Sequence, residues 1–91
     1  MRTILCTGLG DIGEHWLHFI ARIPDVGRVV ACDLNPARAS IVDGAVAGAM
    51  HQGYNPDMEF RKIDLFNVKS TVELIKEVDP EAVSYTHLRA H

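Results

Sequence analysis

Three glycines, Gly8, Gly10 and Gly13, lie close together near the start of the chain, directly after a short apolar run at residues 4–6. Glycine has no Cβ, so it permits backbone angles closed to other residues and lets a second molecule approach the main chain. The chemistry that uses such a cluster is phosphate binding by backbone amides, and the alternative is an ordinary tight turn. The elements on either side of the glycines decide between the two.

The flanking sequence predicts alternating strands and helices. Short apolar runs bounded by glycine, proline or aspartate are typical of strands, whereas apolar residues spaced three and four apart are typical of helices. Asn35-Pro36 favours the start of a helix, because an N-cap side chain is followed there by the residue best tolerated at the first helical position. The predicted strands are residues 3–6, 28–32, 58–63 and the start of a fourth at 81–84, and the predicted helices are 11–23, 37–51 and 69–78.

Repeated strand–helix–strand units require parallel pairing with right-handed crossovers. The predicted fold is therefore α/β, a Rossmann-like open parallel sheet with helices on both faces, truncated at the start of its fourth strand. In the doubly wound order 3-2-1-4 the first strand is central. The third strand alternates apolar and polar residues, which favours an edge position, and the last helix is predicted to bury Val72, Ile75 and Val78.

Gly8-Leu9-Gly10-Asp11-Ile12-Gly13 is a complete G-x-G-x-x-G at a strand-to-helix junction. In this pattern the first glycine makes the tight turn, the second leaves room for a pyrophosphate, and the third lets the helix pack close to the strand. The helix dipole favours the negative charge. Asp33 follows about twenty residues later at the end of the second strand, where a carboxylate accepts both ribose hydroxyls of adenosine.

Asp64 repeats this position at the end of the third predicted strand. Its carboxylate either borders an adenine or is a helix-capping or loop carboxylate, and the residues leave both alternatives open.

Composition excludes several other classes of protein. With 47% hydrophobic and 23% charged residues the chain is too apolar to be disordered. A net charge of −3 with scattered basic residues argues against nucleic acid as a partner. No run is long enough to span a membrane and no signal peptide is visible, so a cytoplasmic location is expected. Cys6 and Cys32 lack CxxC spacing and are expected to be buried, reduced thiols, and no metal site is indicated.

From Arg2 to about Val83 the chain resembles the N-terminal NAD(P)-binding Rossmann domain of saccharopine dehydrogenase-like proteins. The likeness rests on GLGDIG at residues 8–13, DLNPAR at 33–38 and EFRKIDLFNV at 59–68. The resemblance implies a dinucleotide-binding oxidoreductase. The implied pyrophosphate contacts are Gly8, Gly10, Asp11, Ile12 and Gly13, the ribose contact is Asp33, the adenine contacts are Asp64 and Leu65, and Leu9 and Leu34 complete the cofactor-binding set.

NAD is expected in preference to NADP, because a 2′-phosphate beside the Asp33 carboxylate would be repelled. Arg38 is the counterargument, since it lies within one helical turn of Asn35. No catalytic residue can be named, so the resemblance implies that a small-molecule substrate and its catalytic groups belong to a missing part, and the oligomeric state stays open. One alternative is an extended short-chain dehydrogenase or sugar-nucleotide epimerase, although Thr7 stands where their T-G-x-x-G-x-x-G needs its first glycine. Another is a non-catalytic dinucleotide sensor.

The last eight residues, SYTHLRAH at 84–91, break the apolar run expected of a fourth strand. They resemble adapter-derived read-through, so the predicted dinucleotide-binding half-domain is residues 1–83 and residues 84–91 are a predicted non-native tail. An interruption after Val83 would leave one edge of the first strand without a full partner.

Overall fold

The computed structural model describes residues 2–24, 26–64 and 66–85. Strands and helices alternate along the chain, and a 3₁₀ turn at Pro36–Arg38 precedes the second helix. The strands are β1 (Arg2–Thr7), β2 (Val26–Asp33), β3 (Met58–Lys62) and β4 (Ala82–Tyr85), and the helices are α1 (Asp11–Ile20), α2 (Ala39–His51) and α3 (Val68–Val78).

The four strands form one parallel sheet in the order β3-β2-β1-β4. Thr7 of β1 pairs with Cys32 of β2 on one side. Asp33, at the end of β2, pairs with Lys62 of β3. The α/β class, the strand order and the edge position of the third strand are confirmed.

The fourth strand extends past Val83, where the apolar run expected of it ends, and the non-native origin of residues 84–91 stays a prediction. β4 continues to Tyr85, which pairs with Thr7, so β1 has a strand partner on both sides from Ile4 to Thr7. Tyr85 lies two residues past the predicted domain boundary, and residues 86–91 of the predicted tail lie outside the described residues. Pairing in a parallel sheet uses backbone groups, so a polar sequence can extend a strand that apolar patterning ends earlier.

Helices cover both faces of the sheet. On one face α1 and α2 enclose Cys6 and Ala31 with Leu17, Val42 and other apolar side chains. On the opposite face α3 covers Leu5, Val30 and Cys32. Neighbouring residues along a strand point to opposite faces, so β1 and β2 each contribute to both clusters. This arrangement explains why the two central strands are almost continuously apolar.

Neither cysteine forms a disulfide, and both are buried. Cys6 belongs to the cluster beneath α1 and α2, whereas Cys32 belongs to the cluster beneath α3. Burial raises the pKa of the Cys32 thiol to about 12. The two thiols lie in different layers of the molecule, as buried core residues.

Helix α3 buries Val78, as predicted, but its other buried residue is Leu74 rather than Val72 or Ile75. Leu74 and Val78, four residues apart, pack on the sheet, whereas Val72 and Ile75 are 42% and 41% exposed. A spacing of three drifts around a helix of 3.6 residues per turn, so the sheet selects the pair at four. In α1, Leu17 is buried although its neighbour Trp16 is exposed.

The start of the second helix also differs from the prediction. The Asn35 side chain accepts a hydrogen bond from the Ala37 amide at 3.0 Å, as an N-cap does, but the turn that it caps is the 3₁₀ turn Pro36–Arg38. The α-helix begins at Ala39. None of the helices in the described part of the chain has both the length and the apolar character needed to cross a lipid bilayer.

Candidate functional site

The glycine motif and both candidate aspartates follow the carboxyl ends of neighbouring strands. The glycine turn follows β1, Asp33 ends β2, and Asp64 lies just beyond β3. The chain leaves β1 through α1 on one face, while α3, on the other face, leads into β4 beside β1. Ligands of open parallel sheets bind outside the carboxyl ends of the strands, where the strand order reverses in this way.

Gly8 begins the turn and needs to be glycine for the sake of the backbone. Its φ is 84°, in the left-handed region where a side chain is strained. Its amide donates to the Cys32 carbonyl at 2.9 Å, which extends the pairing of β1 with β2 by one step. The tight turn expected of the first glycine is present.

Leu9, the next residue, points its side chain into the core, where it is completely buried. Only the backbone of Leu9 can therefore take part in contacts at this surface. Its amide donates to Oδ2 of Asp33 at 2.8 Å.

Gly10 contrasts with Gly8, because nothing within the described fold requires a glycine there. Its φ of −75° and ψ of −167° are open to any residue, and an added Cβ would meet no atom within 4 Å. The Gly10 carbonyl accepts from the Glu14 amide at 2.9 Å, as the N-cap of α1. A side chain at Gly10 would occupy open space at the beginning of α1, the space in which the motif expects a pyrophosphate.

The amino end of α1 completes the turn. The first amides of a helix have no partner within it, and Gly10 has no side chain with which to cap them. Gly13 is buried in the first turn of α1, which fits the expected close packing of helix on strand. The side chains of Asp11 and Ile12 lie outside what the structure describes.

Asp33 is half-buried and uses both carboxylate oxygens. Oδ2 accepts from the Leu9 amide at 2.8 Å, and Oδ1 accepts from the Asn35 amide at 2.9 Å. The sequence alone does not predict the contact with Leu9. The contact follows from the parallel register, in which Thr7 lies opposite Cys32 and the residues after the two strands therefore lie side by side. A carboxylate oxygen accepts about two hydrogen bonds, so each oxygen keeps capacity for another donor.

Asp64 follows the neighbouring strand, and the Ile63 amide donates to the Asp33 carbonyl at 3.1 Å. The exposed Asp64 carboxylate accepts from the Phe66 amide at 3.0 Å. This local turn agrees with the loop-carboxylate alternative, while its exposure leaves the carboxylate open to a ligand. Leu34 is 55% exposed beside Asp33, and Leu65 lies outside the described residues.

A cavity of about 310 Å³ opens at the opposite end of the sheet, near the amino ends of β2 and β3. Val26, Tyr54 and Met58 are among its lining residues. We assign the candidate site to the strand ends rather than to this cavity, because the glycine turn, the helix terminus and the Asp33 carboxylate converge there.

Neither a search for metal-binding groups nor comparison with known proteins assigns a further role to these residues. Among the described residues no group of three or more histidine, cysteine, aspartate or glutamate side chains is placed to hold a metal ion. Comparison of the chain with protein-family models, with curated proteins and with solved structures gave no match.

Proposed function

We propose that the chain binds the adenosine and pyrophosphate portions of a nicotinamide dinucleotide and serves as the cofactor-binding part of an oxidoreductase of the saccharopine dehydrogenase-like type. The observation that carries the proposal is the pairing of Gly10 with Asp33. Gly10 is a glycine that the described fold does not require. The Asp33 carboxylate accepts a hydrogen bond at 2.8 Å from the amide of Leu9, the residue directly before Gly10. An open backbone and a carboxylate at this spacing match the two recognition elements of a dinucleotide.

The pyrophosphate would lie against Gly10 at the amino end of α1. Backbone amides of the first helical turn donate to phosphate oxygens, and the positive end of the helix dipole stabilises their charge. No lysine or arginine is required for this mode of binding. Gly8 shapes the turn, and Gly13 is buried within α1.

Asp33 would bind the adenosine ribose. Its two oxygens each accept one backbone amide and retain capacity for one ribose hydroxyl apiece. A 2′-phosphate in place of the hydroxyl would meet the carboxylate charge, so the proposed cofactor is NAD rather than NADP. Asp64 would border the adenine from the next strand end, and the exposed Leu34 lies next to Asp33 in the chain.

Bound dinucleotide would supply hydride transfer at its nicotinamide ring. The residues of the glycine turn and the strand ends would bind and orient the cofactor. Other residues would bind the small-molecule substrate and supply the general acid or base. We therefore assign no catalytic residue.

The test is calorimetric titration of NAD into the chain and into Gly10→Val, with Gly44→Val as the control. Both glycines face open space, since an added Cβ meets nothing within 4 Å at either, but Gly44 lies on the exposed surface of α2. A valine at Gly10 should obstruct the pyrophosphate and weaken NAD binding by about tenfold or more, whereas Gly44→Val should bind as the wild type does. Equal affinity in a folded Gly10→Val protein, or no NAD binding by the wild type, would overturn the proposal.

A further inference from the structure

The Asp33 carboxylate joins two segments that are distant in the sequence. Oδ2 accepts the Leu9 amide from the glycine turn and Oδ1 accepts the Asn35 amide from the start of the next connection. We propose that Asp33 is a positioning residue for the glycine turn as well as a ribose ligand, an inference that rests on the proposed function. Through Leu9, Asp33 fixes the shape of the surface on which the pyrophosphate lies.

The turn needs this support at its midpoint. Gly8 is held by its hydrogen bond to the Cys32 carbonyl, and Gly10 is held by the Glu14 amide at the beginning of α1. Leu9 lies between them, anchored by a buried side chain on one side and by the Asp33 carboxylate at its amide. Because Gly8 and Gly10 both have unusual backbone freedom, the bond at Leu9 restricts the segment that most needs restriction.

The geometry calls for a carboxylate rather than an amide. Two backbone N–H groups approach Asp33 from different segments, one at each oxygen. Asparagine offers a single acceptor oxygen, so its NH₂ group would face one of the two donors. Asp33→Asn therefore loses one of the two contacts although its shape is nearly unchanged.

The two tasks of Asp33 are compatible. An oxygen that accepts a backbone amide keeps capacity for one more donor, so a ribose hydroxyl can bind without release of Leu9. The turn is consequently already formed when the nucleotide arrives, and the ordering cost of binding is reduced. It follows that Asp33 should strengthen the binding even of a nucleotide that has no ribose hydroxyls.

The test compares ADP with 2′,3′-dideoxyadenosine 5′-diphosphate, which lacks the hydroxyls, by calorimetry on the wild type, Asp33→Ala and Asp43→Ala. Asp43 is an exposed aspartate on α2, so its variant removes the same charge away from the site. A positioning role predicts that Asp33→Ala lowers the affinity for the dideoxy nucleotide by roughly fivefold to tenfold, whereas Asp43→Ala leaves that affinity unchanged. Unchanged affinity for the dideoxy nucleotide in Asp33→Ala would limit Asp33 to ribose contact and overturn the inference.

Amide hydrogen exchange at Leu9 supplies a measurement that needs no nucleotide. Exchange at Leu9 should accelerate by about tenfold or more in Asp33→Ala and stay unchanged in Asp43→Ala. Asp33→Asn keeps one acceptor oxygen, so exchange should accelerate there at Leu9 or at Asn35. Wild-type exchange at Leu9 in Asp33→Ala would overturn the positioning role. If exchange accelerates as expected but the wild type binds neither nucleotide, the proposed function is wrong and the hold of Asp33 on the turn is upheld. Should Asp33→Ala fail to fold, wild-type exchange at both Leu9 and Asn35 in Asp33→Asn would overturn the positioning role.

Discussion

The ends of β2 and β3 have the same local design. Asp33 and Asp64 each accept the backbone amide two residues later, at 2.9 Å from Asn35 and 3.0 Å from Phe66. An asparagine then caps the next helical segment, where Asn35 accepts from the Ala37 amide and Asn67 accepts from the Ser70 amide at 3.1 Å. Aspartate for the turn and asparagine for the cap are a physical solution for leaving a strand and entering a helix.

The two ends differ in what lies beside them. β2 lies next to β1, so Asp33 reaches the glycine turn and accepts the Leu9 amide at 2.8 Å. β3 is an edge strand with β2 as its neighbour, and the Asp64 carboxylate is exposed. The same residue type in the same local turn thus has a long-range contact in one place and a local one in the other. Position in the sheet, rather than the turn itself, distinguishes the proposed ribose ligand from its neighbour.

The largest expected difference between the two ends is in NAD affinity. Asp33→Ala should weaken NAD binding by roughly 10- to 100-fold, because it removes the ribose contacts and the hold on Leu9 together. Asp64→Ala should change the affinity by less than about threefold, since an exposed carboxylate contributes little to binding. Calorimetric titration of both variants measures the contrast, and equal losses would show that the two ends contribute alike.

Cofactor selectivity should separate the ends next. The wild type should bind NADP about tenfold or more weakly than NAD, and Asp33→Ala should narrow that ratio while Asp64→Ala preserves it. Competition between the two cofactors provides the measurement. Arg38→Ala is the matched test of the opposing charge, because the Arg38 guanidinium makes no ion pair with another described residue. Equal affinity of the wild type for NAD and NADP would contradict the predicted preference, and loss of NADP binding in Arg38→Ala would then assign the 2′-phosphate to Arg38.

The two caps should differ in stability. Asn67→Ala should lower the free energy of unfolding by about 1 kcal/mol, because Asn67 caps the eleven-residue helix α3. Asn35→Ala should cost less, since Asn35 caps a three-residue 3₁₀ turn with few orphan amides. Urea denaturation of both variants measures the two losses. A larger loss for Asn35→Ala would contradict the prediction and show that the cap after β2 stabilises the fold more than the cap of α3.

The smallest effect is a pH dependence shared by both strands. Arg28 of β2 and Arg61 of β3 donate to the Glu59 carboxylate and hold its pKa below the ordinary value of 4.5. A lowered pKa stabilises the fold above pH 4.5, and this contribution is lost as the pH falls through the folded-state pKa. Because these groups are partly exposed, the contribution should be about 1 kcal/mol or less.

Glu59→Gln should therefore flatten the dependence of the free energy of unfolding on pH below 4.5. Urea denaturation at a series of acidic pH values measures it, with Asp43→Asn as the control for removal of an exposed carboxylate. A pH profile that Glu59→Gln leaves unchanged would assign the acid sensitivity to other groups.

Local patterns predicted most of the fold and the composition of the candidate site. Glycine spacing predicts the turn and the start of α1, apolar runs predict β1 and β2, and the alternation of apolar and polar residues predicts β3. The Leu9–Asp33 contact could not be predicted, since it depends on the register of two strands rather than on either sequence alone. The buried face of α3 was predicted only in part, because Val72 and Leu74 are both apolar, and only packing against the sheet distinguishes them.

Cys6 and Cys32 lie on opposite faces of the sheet, so thiol labelling can report on each face separately. Alkylation needs a solvent-exposed thiolate, which burial withholds from both side chains. Labelling of Cys6 would time the departure of α1 and α2 from the sheet, and labelling of Cys32 would time the departure of α3. Single-cysteine versions of the chain would thereby reveal whether the two layers open together or one after the other.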